Sequence, residues 1–68
     1  MSGHTYRVVE LVGTSPDGVD AAIANAIATA TSQFGDVGWY EVVQIRGHVE
    51  GGQVAHHQVT VKVGARAE

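Results

Sequence analysis

The sequence predicts an α+β domain in the order strand, helix, strand, strand, with a three-stranded antiparallel sheet. Three observations carry this. Runs rich in β-branched residues occupy 5–13, 39–50 and 53–66, apolar residues recur at spacings of three and four from Val19 to Phe34, and Gly51-Gly52 separates the last two runs. These are the signatures of strands, of an amphipathic helix and of a tight hairpin turn. A helical crossover returns the second strand parallel to the first, and the hairpin makes the third antiparallel to both. Placing the third strand between the other two makes the whole sheet antiparallel.

The first strand, Thr-Tyr-Arg-Val-Val-Glu-Leu-Val-Gly at 5–13, stops at a glycine. Ser15-Pro16-Asp17 then announces the helix: Ser15 as its N-cap, Pro16 at the first helical position, and Asp17 suited to the positive helix end. Val19, Ala22, Ile23, Ala26, Ile27, Ala30 and Phe34 form one apolar face, while Asp20, Asn25, Thr29 and Gln33 lie on the other. Gly35 closes the helix. A flexible loop, Asp36-Val37-Gly38, leads into the second strand, Trp39 to Glu50, and the third runs from Gln53 to about Arg66.

A two-residue turn sets Glu50 opposite Gln53, and hence Ile45 opposite Gln58, Glu41 opposite Lys62 and Trp39 opposite Gly64. Opposed residues project to the same face. One face then carries Tyr40, Val42, Val59, Val61 and Val63, with Ala55, as a bed for the helix. The other carries Trp39, Val43, Ile45, Val49 and Val54 among Glu41, His56, Gln58, Thr60 and Lys62. One helix covers one side only, so this second, mixed face is expected to be buried against other copies. It is either a plain subunit interface, where Trp and Tyr are enriched in any case, or an interface that also holds a ligand, with Trp39 and Gln58 as its aromatic and polar elements.

Size points the same way. The chain has 68 residues, a mass of 7.1 kDa and no cysteine, and a single core below roughly 70–80 residues rarely supplies more than a few kcal/mol. Without disulfides, oligomerisation is the expected supplement. Four Lys and Arg against seven Asp and Glu give a formal net charge of -3, which leaves no basic footprint for nucleic acid or for an anionic membrane surface. No apolar run approaches a membrane span and no signal peptide is evident, so a cytoplasmic protein is expected.

Chemical constellations are few. His56 and His57 are strand neighbours and point to opposite faces; His48 and His57 are expected as diagonal neighbours on the helix-facing side, without a third ligand. No metal site is therefore expected. Glu41 and Lys62 are expected as a cross-strand ion pair. Gly13-Thr14-Ser15-Pro16 lacks the spacing and the lysine of a phosphate loop. Ser2, Ser15 and Ser32 have no assigned base, and the N-terminal proline that serves as base in small oligomeric tautomerases is absent from Met1-Ser2. Trp39 offers an indole that can stack on a flat heteroaromatic ring, and the Gln58 amide can read a ring edge bearing donors and acceptors. Arg46 and Arg66, two of only three arginines, suit a phosphate, or alternatively a surface or subunit ion pair.

Val9-Glu10-Leu11-Val12-Gly13-Thr14-Ser15, Trp39-Tyr40-Glu41-Val42-Val43, Ile45-Arg46-Gly47-His48-Val49 and Gly52 to Val59 together resemble the dodecins, small flavin-binding proteins that assemble as hollow dodecamers. The resemblance spans nearly the whole chain. It implies a three-stranded antiparallel sheet partly wrapped around one helix, and a homododecamer. It implies flavin mononucleotide (FMN) or riboflavin as ligand, with Trp39 stacked on the isoalloxazine, Gln58 bonded to its pyrimidine edge, and Arg46 and Arg66 associated with the nucleotide and its phosphate. Paired flavins would lie between symmetry-related tryptophans, in a role of storage and buffering without catalysis. Some members also bind coenzyme A, for which Tyr6, Thr29 and Gln33 are candidates here. The chain departs from the family in reading Gly64-Ala65-Arg66 where others often carry an aromatic residue beside the last arginine, and His56-His57 where a His followed by an aromatic is commoner.

Overall fold

The computed structural model describes residues 3–68; Ser2, weighed above among the serines, lies outside them. Four elements follow in the expected order: β1 (Tyr6–Ser15), α1 (Val19–Phe34), β2 (Val37–Glu50) and β3 (Gln53–Arg66). The sheet order is β1-β3-β2, and both pairings are antiparallel. Gly51 and Gly52 take φ of 59° and 77°, the two positive values that a primed hairpin turn demands. No described helix is long and apolar enough to cross a membrane.

The helix packs on one side of the sheet through the face expected of it. Ala22, Ala26 and Ala30 are buried against Val59, Val61 and Val63 of the central strand, with Val9, Leu11, Val19, Ile23, Ile27, Phe34 and Val37 around them. Three small residues along the contact line let the helix approach closely. Gly13 takes this furthest: a Cβ there would run into the Ala22 carbonyl and come within 2.9 Å of the Ala26 Cβ. Each fully buried valine contributes about 1.5–3 kcal/mol relative to exposure. Length limits this core, because 16 helical residues span about 24 Å, whereas 14-residue strands span roughly 46 Å. About half of the hairpin therefore extends past the helix, and the chain is drawn out to 55 × 19 × 14 Å.

Two boundaries differ from expectation. Ser15 does not cap the helix. It is the last residue of β1, it is buried, and its Oγ accepts the Asp17 N–H at 3.0 Å, a local turn two residues long of the kind short hydroxyl side chains favour. The N-cap is Gly18, at φ 145° and without a side-chain bond. Val37 and Gly38 belong to β2 rather than to a loop, with Val37 opposite Ala65. At the other helix end Gly35 behaves as expected, donating its N–H to the Thr31 carbonyl at φ 86°.

The register differs in the middle of the hairpin. Glu50–Gln53, Glu41–Lys62 and Trp39–Gly64 are opposed as expected, but between them Ile45 faces Val59, Arg46 faces Gln58 and His48 faces His56. The ladder slips by one residue between Val49 and His48 and slips back between Gln44 and Val42. Ala55 is the extra residue of β3 at the first irregularity and Val43 that of β2 at the second, so two bulges on opposite strands cancel. Ile45 thus shares a face with Val59, not with Trp39, and His48 opposes His56 instead of lying diagonal to His57.

Candidate functional site

The helix-free face gathers the candidate side chains into two groups. At one end stands Trp39, opposite Gly64 and 40% exposed. A Cβ on Gly64 would collide with Cε2, Cζ2 and Nε1 of the indole, so the ring lies directly over the glycine backbone. Tyr6 flanks it with ring centroids 6.0 Å apart and planes tilted by 56°. Tyr6 also packs near Gly38, where a Cβ would approach its ring to 3.1 Å. The indole is thus held from below and from one side, with its remaining surface available for stacking. Arg66 belongs to this end: it is opposite Tyr6, its Nε donates to the Glu68 carbonyl at 3.3 Å, and its Nη1 lies 3.8 Å from Asp36 Oδ2. Asp36 is an exposed partner, so this contact is worth about 0–1 kcal/mol and is readily exchanged for another anion.

The second group lies toward the turn. Gln58 is half-buried on the central strand, between Thr14 of β1 and Arg46 of β2. Arg46 Nη2 donates to Gln44 Oε1 at 2.6 Å, which holds the guanidinium along the strand. The bulges are responsible for this neighbourhood. In an unbulged ladder Arg46 would oppose His57 and share the helix side, whereas the observed register sets it beside Gln58 on the open face.

The two groups are remote within one subunit. Gln58 and Gly64, the position beneath Trp39, are six residues apart on β3, roughly 20 Å along an extended strand. No tricyclic ring reaches from one to the other. Between them Lys62 stands directly between Glu10 and Glu41 in register, yet the only ion pairs closed among the described residues are Arg66–Asp36 and the contact of His48 with Glu50. Glu41 and Lys62 are therefore opposed without forming the expected pair. Tyr6 does not converge with Thr29 and Gln33 either. Thr29 lines an open groove of about 320 Å³ along β1 with Leu11, Val12, Gly13, Thr14, Asn25 and Ala26, and Gln33 is exposed one helical turn further on, while Tyr6 is at the tryptophan.

Tyr6 is the member of the tryptophan end that sequence reasoning did not place there. The Gly64 opposition was visible in the hairpin register; the Tyr6 contact depends on how β1 docks on β3, for which the sequence carries no local marker. Apolar surface is exposed on both sides of the sheet: Val8 and Val12 oppose Gly64 and Thr60 on the open face, while Tyr40, Val42, Ile45, Val49 and Val54 are exposed on the helix side, which the helix leaves uncovered there.

Comparison with known proteins places this fold. Residues 5–68 match the family model described as Dodecin. The dodecin of Thermus thermophilus is 44% identical over 66 residues, covering 97% of this chain and 96% of that protein. Dodecin from Streptomyces coelicolor is 57% identical, with a TM-score of 0.92 over 100% of this chain and 97% of its own. Solved variants of Thermus thermophilus dodecin, in which a tryptophan is replaced by phenylalanine or an arginine by alanine, superpose with a TM-score of 0.90 at 42% identity over 97% of this chain and 97–98% of theirs. By sequence over its whole folded length and by three-dimensional shape, the chain belongs to the dodecin family.

Proposed function

We propose that the protein is a non-catalytic flavin store, binding FMN or riboflavin between subunits of a homododecamer. The observation that carries this is the separation of the two groups on the open face. Trp39 and Gln58 have the chemistry of one flavin site, an indole for the ring plane and an amide for the pyrimidine edge, but they stand too far apart to serve one ring from a single subunit. A second copy that covers the exposed face supplies the missing half. Trp39 of one copy then meets Gln58 of another, with Arg46 beside Gln58 and Arg66 beside Trp39 as candidates for the phosphate. The relatives solved with a tryptophan or an arginine replaced keep the same fold, which supports a binding rather than a folding role for these residue types.

Indole is the most easily oxidised ordinary side chain, so a ring stacked on Trp39 loses its excited state by electron transfer from the indole and recovers by return of that electron. The flavin is held dark and unreacted. Titrating apoprotein with FMN while following flavin emission tests this: strong quenching in the parent, lost in Trp39→Ala and weakened in Gly64→Ala, is expected. Unchanged emission at micromolar parent protein rules the proposal out.

A further inference from the structure

The bulge at Ala55 creates a second arrangement nearer the turn, two residues further along each strand from Arg46 and Gln58. It sets His48 directly opposite His56 with ring centroids 6.5 Å apart and planes tilted by 46°. Glu50, two residues on from His48, brings Oε2 to within 3.2 Å of the His48 Nε2. All three side chains are exposed. Directly opposed residues of an antiparallel pair hold their Cβ atoms about 4.5–5.5 Å apart on one face, a spacing from which two imidazoles can turn toward a common ion.

We infer that His48 and His56 chelate a divalent transition-metal ion of the zinc type, with Glu50 as a third donor. Two borderline imidazoles with one hard carboxylate make a nitrogen-dominated set that prefers Zn²⁺ or Co²⁺ to Mg²⁺ or Ca²⁺, which demand oxygen-rich sites. Metal–nitrogen bonds of about 2.0–2.1 Å draw the rings slightly closer than they stand. Exposed side chains on a paired ladder make that adjustment by rotation, and His48 exchanges its contact with Glu50 for the shared ion. Three donors do not already converge among the described residues, so the ion assembles the site and water completes its shell. Arg46, two residues away on the same face, opposes a cation; its guanidinium is held by Gln44 at 2.6 Å. The site is thus weaker than a buried structural zinc centre, in the range where metal exchanges freely.

The test is calorimetric titration of the assembled protein with Zn²⁺, in a His4→Ala background that removes the histidine near the chain start. The parent is expected to bind at micromolar metal, with millimolar Mg²⁺ failing to compete. His48→Ala and His56→Ala should each weaken Zn²⁺ by about 10–100-fold or more, while His57→Ala, on the opposite face, leaves it unchanged. Circular dichroism and light scattering confirm that each variant is assembled; where an alanine variant is not, the glutamine variant replaces it. The visible spectrum of the Co²⁺ form of the parent should further show ligand-field bands with imidazole coordination. Absence of Zn²⁺ binding by the parent, equal binding by the His48 or His56 variants, or an equal loss on changing His57 overturns the inference.

Discussion

The two edge strands flank the same central strand and meet opposite fates. β1 lies under the helix: Gly13 and Ser15 are buried, Val9 and Leu11 are half-buried, and Asn25 from the helix donates to the Thr14 carbonyl at 2.9 Å. β2 has no such cover, and every residue after Val37 is exposed, including Trp39, Tyr40, Val42, Val43 and Ile45. Both strands are rich in β-branched residues, so composition does not separate them. The difference is geometric: Tyr40 and Val42 stand opposite the buried Val63 and Val61 yet are exposed, so the helix lies over β1 and β3 and leaves β2 uncovered to the side as well as beyond the helix end. One edge is stabilised inside the subunit; the other is left open there, and in the proposed assembly other copies cover it. The chemistry-bearing side chains Trp39, Arg46 and, through its pairing, Gln58 lie with the second.

Substitutions separate the two dependences. The largest effect is expected at the β1 side, where Gly13→Val drives a side chain into Ala22 and Ala26; it should cost about 3 kcal/mol, the upper part of the usual overpacking range, and appear as lost helical circular dichroism at every protein concentration. At β2, Ile45→Asp removes an apolar side chain that is 57% exposed within its own subunit. It should cost roughly 2 kcal/mol of intersubunit burial per copy and shift light scattering toward smaller species. If it leaves the assembly intact, the exposed edge is not a subunit contact at Ile45. Arg46→Ala should weaken FMN by roughly tenfold, about the 1.5 kcal/mol of a charged hydrogen bond, and leave riboflavin unchanged; equal effects on both flavins remove its phosphate role. The smallest effect is expected for Glu41→Gln. With no closed ion pair to Lys62, denaturant melting should change by less than about 0.5 kcal/mol, and a larger loss would show that assembly brings the two together.

The sequence carried the strand order, the antiparallel pairing, the helix face and the turn, because each rests on a local signal: apolar period, a diglycine, a closing glycine at Gly35. It carried the chemistry of Trp39, Gln58, Arg46 and Arg66 as residue types. What it did not carry was the middle of the hairpin. Val42-Val43-Gln44 and Val54-Ala55-His56 have no glycine or proline to mark a bulge, and bulges on opposite strands cancel, so a register counted from the turn is right at both ends and wrong by one between them. Ile45, Arg46 and His48 all fall in that interval. The helix start was misjudged for a related reason: a serine before Pro-Asp has the composition of a helix cap, but its hydroxyl bonds Asp17 while the chain is still leaving β1. Neither outcome is decided by local preference alone; both follow from how β1 and β2 dock on β3.

The central claim is that one flavin site is assembled from two subunits, and subunit complementation tests it most directly. Trp39→Ala and Gln58→Ala proteins, each deficient in FMN binding, are unfolded together and reassembled. If Trp39 and Gln58 of different copies form one site, mixed assemblies regain quenching of FMN emission at a fraction of the parent sites. If both residues of a site come from the same subunit, every subunit in the mixture is defective, and quenching no greater than the sum of the two variants would contradict the account.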